Sequence, residues 1–381
     1  MSQLPLKGLV VLEFSQYLSG PSAGLRLADL GARVIKIERP NGGDAGRKLS
    51  IKNLWVDDSS MLFHTINRNK ESFSANLKDE DDLAALKKLI KKADVLIHNF
   101  RPGVMQRSGL DYETVHQLNP RLVYAEISGY GKEGPWKAKP GQDLLLQSIA
   151  GLAYTTGDGN NGPVPFGVAI VDILCGAQLV QGILGALIRR QKTGKGALIE
   201  ISLLESLLDF QFELLTTYYA NGRQPERSHV SNGHPLLSAP YGIYATADGY
   251  LALAMMDIHA LANAIGCHAL EPFSKEKTFI QRDEIKAILA EHLLLQSTEY
   301  WLTHLHKDGL WAMEVFDWEK MVNHPAYKCL QMEQTIHAEN KDFVTTRCPI
   351  RINGQRIFSD KPAPKVGQHN EEVYRDLINE A

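Results

Sequence analysis

The first forty residues constrain the fold more than any other stretch of this 381-residue chain. An apolar run from Leu9 to Phe14 is followed by a turn through Ser15–Gly20, by a helix from Pro21 to Gly31, and by a second apolar run from Arg33 to Ile37. A strand, a helix and a strand in such close succession form a βαβ unit, in which the two strands are parallel. Parallel strands need helices on both faces of the sheet, so an α/β fold is predicted.

The same alternation continues to about residue 205. Buried strands are predicted at Asp94–His98, Leu122–Ile127 and Leu198–Ser202, and a helix at Glu80–Lys92. This pattern is typical of a doubly wound sheet, and it predicts a large Rossmann-like domain with a parallel sheet over residues 1–205.

The pattern changes beyond that point. Two strands are predicted on either side of an Asp248-Gly249 turn, followed by helices at Arg282–Leu295 and Thr298–Leu305. A smaller α+β domain is therefore expected over residues 222–330. The last segment, residues 335–381, shows strand and turn signals again and is expected to return to the large domain.

Composition excludes several classes of protein. The formal net charge of −3 leaves no broad basic field for nucleic acid or anionic lipid. The N-terminus lacks the pattern of a signal peptide, and no run of 18 uncharged apolar residues is evident, so no membrane partner and a cytoplasmic location are expected. The four cysteines form no CxxC pair and the histidines lack metal-ligand spacing, which predicts no metal site.

The first βα turn argues against a tightly bound dinucleotide. A Rossmann unit that binds NAD or FAD carries GxGxxG between its first strand and helix, whereas this turn reads SQYLSGPSAG. The free N–H groups of the following helix are still suited to an anion. Arg39 and Arg101 follow predicted strands, where ligands of open sheets bind; they are either phosphate ligands or solvated loop charges.

Asp172 is the most unusual charged residue in the chain. It interrupts the apolar run FGVAIVDILCG, and no basic residue lies within ten positions on either side. Burial of an unpaired carboxylate is unfavourable, so a compensating role is expected. Asp172 is expected to cap the following helix or to act as a nucleophile that attacks an activated carbonyl group, and the two roles are compatible because N–H donors that hold a carboxylate can also orient it.

Several long blocks, in order, resemble one enzyme family. They are GPSAGLRLADLGARVIKIERPNGGD, NRNKESFSANLK, DVLIHNFRPGVMQRSGLDYETVHQLNPRLVYAEISGYGKEGP, ILGALIRRQKTGKGALIEISLLES and APKVGQHNEEVYRDL. With these blocks the chain resembles the family III CoA transferases (the CaiB/BaiF family), the group of formyl-CoA and carnitine CoA transferases. The resemblance implies CoA as a co-substrate, with an acyl-CoA and a small carboxylic acid as partners and no tightly bound cofactor.

The resemblance also assigns roles to individual residues. It places the nucleophile on Asp172, where attack on an acyl-CoA thioester would give an aspartyl anhydride and then an aspartyl-CoA thioester. The residues that it places along CoA or beside the active site are Leu18, Ser19, Arg39, Lys78, Asn99, Phe100, Arg101, Arg107, Gln142 and Asp143.

Departures from the family pattern concern the acyl group. Formyl-CoA transferases carry a glutamine at the position of Leu18, and they carry aromatic residues at the positions of Leu49 and Leu62. A larger or more apolar acyl group than formyl or oxalyl is therefore expected. The nearest equivalent of their tetraglycine loop is SNGHP, residues 231–235.

Two alternatives to a transferase remain at this stage. A 2-methylacyl-CoA racemase of the same fold carries GHD where this chain has Gly-Gln-Asp, and Gln142 cannot exchange a proton at neutral pH. A non-catalytic acyl-CoA-binding protein is the other alternative. The family fold implies an interlocked homodimer, in which the 231–235 loop acts on the active site of the partner subunit.

Overall fold

The computed structural model describes residues 4–49 and 52–379, and it divides the chain into two compact units. Unit 1 comprises residues 1–146, 169–210 and 330–381, and unit 2 comprises residues 147–168 and 211–329. The strands, numbered in chain order, are β1 Val10–Glu13, β2 Arg33–Glu38, β3 Trp55–Val56, β4 Ser59–Ser60, β5 Glu71–Ser74, β6 Val95–His98, β7 Val123–Ser128, β8 Ala197–Ser202, β9 Gly242–Ala245, β10 Tyr250–Leu253, β11 Ala312–Glu314, β12 Glu333–His337, β13 Asp342–Thr346, β14 Cys348–Ile352 and β15 Gln355–Ile357.

The helices follow the same numbering. They are α1 Ser19–Asp29, α2 Met61–Asn67, α3 Glu80–Lys92, α4 Val104–Arg107, α5 Tyr112–Leu118, α6 Asp143–Ile149, α7 Ile170–Thr193, α8 Leu203–Phe210, α9 Phe212–Asn221, α10 Ile258–Ile265, α11 Arg282–Leu293, α12 Thr298–Lys307, α13 Trp318–Asn323, α14 Pro325–Leu330 and α15 Asn370–Val373.

A six-stranded parallel sheet organises unit 1, with strand order β5-β2-β1-β6-β7-β8. The predicted α/β fold class is therefore confirmed. Leu12, Ile35 and Leu96 of adjacent strands are fully buried, because a parallel sheet is covered on both faces. The winding direction changes between β1 and β6, and this is the topological switch point of the sheet.

Local sequence explains why the helices begin and end where they do. Asp79 caps α3, because its carboxylate accepts the N–H groups of Asp81 and Asp82. Two lysines occupy the last turn, where they interact favourably with the helix dipole, and the predicted bounds of this helix are confirmed. The apolar stripe that includes Leu86 and Ile90 packs into the core of unit 1.

Helix α7 is long and apolar enough to cross a membrane by length and composition alone. The sequence criterion did not single it out, because charged residues at both ends and two glutamines interrupt the apolar run. A core helix of a soluble protein passes the same test, so this single helix is weak evidence for a membrane. Within unit 1 it buries Val171, Cys175, Leu179 and Ile183.

The C-terminal segment lies in unit 1 and hydrogen-bonds to the edge strand β5. Ser72 N–H donates to His369 Nδ1 at 3.2 Å, and Ser74 N–H donates to Asn370 Oδ1 at 2.9 Å. The Asn353-Gly354 turn joins β14 and β15 with both residues at positive φ, as such a hairpin turn requires.

Unit 2 is built on a three-stranded antiparallel sheet of order β11-β10-β9. One face of this sheet packs against α10, α11 and α12 through a core that includes Tyr244, Leu251, Leu253 and Trp301. Residues 147–168 also group with unit 2, whereas the sequence placed them in the large domain. Hydrogen bonds explain this difference, since the 155–162 stretch is bonded to residues 227–232.

Candidate active site

The loops that follow β1 and β6 are joined by one side chain at the switch point. Gln16 N–H donates to Asn99 Oδ1 at 2.9 Å, and Asn99 Nδ2 donates to the Gln16 carbonyl oxygen at 2.8 Å. Ligands of open α/β sheets bind at such a point. Leu18 and Ser19 follow in the first loop, where Leu18 is the N-cap residue of α1 and its carbonyl oxygen accepts Ser22 N–H at 2.8 Å.

Asp172 is the third residue of α7, and its side chain is half-buried. The N-cap residue is Ala169, which makes no side-chain cap. The acceptor at this helix end is Asp143 Oδ2, which takes Val171 N–H at 2.8 Å and Asp172 N–H at 3.2 Å. The hypothesis that Asp172 caps its own helix is therefore wrong, because the helix begins two residues earlier and Asp143 supplies the acceptor.

A glycine brings α1 and α7 close together next to Asp172. A Cβ atom added at Gly176 would lie 2.2 Å from Ser22 Oγ and 2.7 Å from the Ser19 carbonyl oxygen, so only glycine fits. Gly176 lies one helical turn after Asp172, on the same face of α7. This contact places the N-terminus of α1, with the buried Ser19, beside the carboxylate.

The surroundings of Asp172 disfavour its charged form. Burial and, to a smaller extent, the nearby charge of Asp143 raise the pKa of Asp172 from the ordinary value of 3.8 to about 6. The Ser19 hydroxyl acts in the opposite direction as a hydrogen-bond donor. At neutral pH Asp172 is therefore mainly ionised but poorly solvated, a state suited to nucleophilic attack.

The basic residues predicted to bind CoA are all exposed, and they are Arg39, Lys78, Arg101 and Arg107. Three of them follow the carboxyl ends of the parallel strands β2, β5 and β6, which open on one edge of the sheet. The Arg39 guanidinium donates to the Gly43 carbonyl oxygen at 3.2 and 3.3 Å and keeps other N–H groups exposed. Such groups can bind phosphate oxygens in pairs.

The remaining predicted residues lie in different surroundings. Phe100 is half-buried and stacks on His98, with ring centroids 6.2 Å apart. Gln142 is exposed, and its carbonyl oxygen accepts N–H groups in the first turn of α6. The structure thus brings Asp143, Ser19 and Asp172 together. Arg39, Lys78 and Arg101 lie on loops that follow strands, and Arg107 is the last residue of α4.

Two charged groups at this end of unit 1 were not predicted. Lys132 lies 2.7 Å from Glu126 and 2.6 Å from Glu200, which are in register on β7 and β8. Equal spacing of the two glutamates from their strand ends is the signal that could have found this cluster. The second group lies below the loop that follows β1 and consists of the buried residues Glu13, Lys36, Asp44 and Lys70.

The 231–235 segment is firmly held within unit 2. Lys286 Nζ donates to the Ser231 carbonyl oxygen at 3.1 Å, and Asn232 N–H donates to Asp158 Oδ1 at 2.7 Å. A Cβ atom at Gly233 would lie 2.8 Å from the Tyr241 ring, so the loop needs glycine there. Its role as a cover for an active site stays a prediction.

Comparisons with known proteins agree on one family. The model of CoA-transferase family III matches residues 6–370. The acetyl-CoA:oxalate CoA-transferase of Acetobacter aceti is 34% identical over 98% of this chain and 96% of its own length. The succinate–glutarate CoA-transferase of Agrobacterium fabrum is 33% identical, again over 98% and 96%. A CaiB/BaiF family protein from Brucella suis has a crystal structure with a TM-score of 0.86 and 31% identity, covering 99% of this chain and 100% of that one.

Proposed function

The chain belongs to CoA-transferase family III and is a CoA-transferase, and from that premise we propose that Asp172 carries the transfer as a covalent nucleophile. The observation that carries this proposal is the position of Asp172, a half-buried carboxylate beside Asp143 and Ser19 with a raised pKa. A poorly solvated carboxylate is a better nucleophile. This gain in reactivity is the role that was expected to offset the unfavourable burial of an unpaired carboxylate.

The proposed route exchanges acyl groups without net proton transfer. A carboxylate oxygen of Asp172 attacks the thioester carbonyl carbon of the donor, the C–S bond breaks, and an anhydride and CoA thiolate form. The thiolate attacks the aspartyl carbonyl carbon, the anhydride C–O bond breaks, and the donor acid leaves from an aspartyl-CoA thioester. The acceptor carboxylate then attacks the aspartyl-CoA thioester, its C–S bond breaks, and a second anhydride and CoA thiolate form. The thiolate attacks the acceptor's carbonyl carbon, the anhydride C–O bond breaks, and the acceptor leaves as its CoA thioester while the Asp172 carboxylate is restored.

The helix end around Asp172 supports this role in two ways. Asp143 fixes the first turn of α7 through the N–H groups of Val171 and Asp172, so the nucleophile sits on a rigid element. The Ser19 hydroxyl is a hydrogen-bond donor that favours the ionised form of Asp172. The same hydroxyl can donate to the oxygen atom on which negative charge develops during the reaction.

The proposed CoA site uses exposed arginines at the strand ends. We expect Arg39 and Arg107 to bind the nucleotide phosphates and Asn99, Phe100, Arg101 and Lys78 to lie along the nucleotide, with Leu18 and Ser19 near the reacting carbonyl group. The acceptor is a small carboxylic acid. Oxalate, succinate and glutarate, named for the relatives, are the first acids to test.

A homodimer is part of the proposal. In unit 2 the sheet face opposite the core exposes Ile243 and Met313, and beside it lies a cavity of about 560 Å³ lined by Trp311, Leu310 and Tyr241. An exposed apolar sheet face of this kind is typical of a surface that a second subunit covers. Light scattering gives the mass in solution; an active monomer would contradict this part of the proposal.

Intact-protein mass spectrometry tests the covalent route. The protein is incubated with acetyl-, succinyl-, glutaryl- and longer acyl-CoA thioesters and then treated with hydroxylamine, which cleaves anhydrides and thioesters. We expect an adduct that maps to Asp172, disappears with hydroxylamine and does not form in Asp172→Ala. The matched control is Asp209→Ala, which removes an exposed carboxylate on α8 and should label like the wild type.

Two results would contradict the proposed route. An adduct that survives in Asp172→Ala would place the nucleophile elsewhere. Absence of any adduct, together with exchange of a donor's α-proton in deuterated water, would favour the racemase chemistry of the same fold.

A further inference from the structure

A cluster of buried charges lies under the loop that joins β1 to α1. Glu13, Lys36, Asp44 and Lys70 are each at most 2% exposed. Lys36 Nζ lies 2.9 Å from Glu13 Oε1 and 2.8 Å from Asp44 Oδ2, and Lys70 Nζ lies 2.7 Å from Glu13 Oε2. Buried ion pairs often contribute less to stability than apolar residues of the same size, so this balanced cluster calls for another explanation.

Two members of the cluster hold the backbone of the loop. Lys36 Nζ donates to the Ser15 carbonyl oxygen at 2.8 Å, and Asp44 Oδ1 accepts Tyr17 N–H at 3.2 Å. Tyr17 has φ of 64°, a left-handed conformation that residues with a side chain adopt only when their surroundings impose it. The contact with Asp44 supplies that constraint, two residues before Ser19.

The other two members hold the start of α1. Lys70 Nζ donates to the Pro21 carbonyl oxygen at 2.8 Å while it pairs with Glu13. A Cβ atom at Gly24 would lie 1.8 Å from Glu13 Oε2, so the helix passes directly over this carboxylate. The backbone is thus fixed on both sides of Ser19 by charges that solvent does not reach.

We propose that Lys36 and Asp44 are positioning residues for the transfer reaction, which hold the 15–19 turn so that the Ser19 hydroxyl faces the Asp172 carboxylate. This inference rests on the proposed nucleophilic role of Asp172. The close contact of Gly176 with the Ser19 carbonyl oxygen supports it independently, because any shift of the turn would move Ser19 relative to α7.

The charged surroundings of both groups define what a test has to separate. Asp143 is the charge that acts on Asp172, and Cys175 of the same helix lies close by, since Asp172 and Glu205 of α8 both act on its thiol. Lys36 faces Glu13, Asp44 and Glu38, whose charges hold its pKa above the usual range although burial alone would lower it. A change at Asp44 therefore reaches Asp172 through the turn and not through a direct charge contact.

The test follows the rate of adduct formation at Asp172 between pH 5 and 8 in four variants: Ser19→Ala, Asp44→Asn, the double variant, and Asp29→Asn. Loss of the hydrogen bond from Ser19 should shift the acidic limb of the profile upward by about one pH unit. Asp44→Asn should give a shift in the same direction. The double variant should shift no further than Ser19→Ala, because Asp44 acts through Ser19.

Asp29→Asn is the matched control. It breaks another buried ion pair of α1, with Arg68 at 2.6 Å, but at the far end of the helix. It should lower stability and leave the acidic limb in place. If Asp44→Asn does not fold, Asp44→Glu takes its place, since it keeps the charge that Lys36 needs and moves the acceptor of Tyr17 N–H by one methylene group.

Three outcomes would overturn the inference. They are an acidic limb that stays in place in every folded Asp44 variant, an equal shift of the limb in Asp29→Asn, and shifts of Ser19→Ala and Asp44→Asn that add in the double variant. If the wild type forms no adduct at Asp172 at any pH, the proposed nucleophile itself is wrong. The failures of the two proposals are therefore distinguishable.

Discussion

Replacement of Asp172 by asparagine should make the protein more stable at neutral pH while it removes the proposed nucleophile. Burial and the charge of Asp143 make the ionised side chain unfavourable in the folded state, whereas the unfolded chain solvates it fully. Asparagine has the same shape and no charge to desolvate. A functional group that lowers stability is expected at an active site, where activity and stability compete.

The magnitude follows from the two pKa values. The difference between about 6 in the folded state and 3.8 in the unfolded state corresponds to about 3 kcal/mol. Because the side chain is only half-buried, solvent screening reduces this to roughly 1–3 kcal/mol. For a chain of this size, that gain should raise Tm by roughly 1–4 °C.

The pH dependence gives this prediction its sign. The folded state binds the proton more tightly, so the wild type is destabilised as pH rises from about 4 to about 6 and then stays level. The gain of Asp172→Asn over the wild type should therefore be absent near pH 4, grow up to pH 6 and remain constant above it.

Differential scanning calorimetry of the ligand-free protein at several pH values measures this gain. Asp29→Asn serves as a control of opposite sign, because it leaves Arg68 buried without its ionised partner and should lower Tm. A Tm of Asp172→Asn equal to or below that of the wild type at pH 8 would refute the reasoning, as would a gain that does not change with pH.

Three further predictions concern the same unit. Asp143→Asn removes a like charge, so the acidic limb of adduct formation should move to lower pH, as a pH–rate profile would record; an unchanged or raised limb would contradict this. Gly176→Ala should cost about 1–3 kcal/mol of stability through its clash with α1. Gly185→Ala, with nothing within 4 Å, is the matched control in thermal melts and should stabilise by about 0.5–1 kcal/mol; equal effects of the two would refute the packing argument. Arg39→Ala should raise KM for acyl-CoA at least about tenfold with kcat retained, and steady-state kinetics with a normal KM would remove Arg39 from the phosphate site.

Most of the central sheet could be predicted because its strands are short, apolar and bounded by turns. The predicted strands at 94–98, 122–127 and 198–202 correspond to β6, β7 and β8 with ends displaced by one residue at most. Strand β5, with sequence ESFS, was missed because it has one apolar residue and forms at the sheet edge through pairing with β2. Backbone pairing of this kind leaves no periodicity in the sequence.

Asp172, Ser19 and Asp143 were all predicted as site residues, whereas the contacts that hold them together were not. Asp172 stands out because it is a charged residue in an apolar run, and the sequence alone shows this. The contact between Asp143 and the first turn of α7 joins residues 28 and 29 positions apart and depends on how α6 approaches α7. Lys36 lies in the strand-like run VIKIE, where the sequence cannot tell a buried lysine from one that reaches solvent.

The two kinds of buried charge near the switch point have different consequences for the fold. Lys36 pairs with Asp44 and with Glu13, and Glu13 pairs in turn with Lys70, so the positive and negative charges of this cluster balance. Among the described residues, Asp143 acts on Asp172 as a like charge and Ser19 as a hydroxyl donor, and the ionised form that the proposed reaction needs is disfavoured. In the proposed mechanism, a rigid turn next to a poorly solvated carboxylate is the arrangement that preorganised catalysis requires, because a flexible turn would let the Ser19 hydroxyl move away from Asp172. Loosening the turn should therefore make the ionised form of Asp172 less favourable and shift the acidic limb of acylation to higher pH.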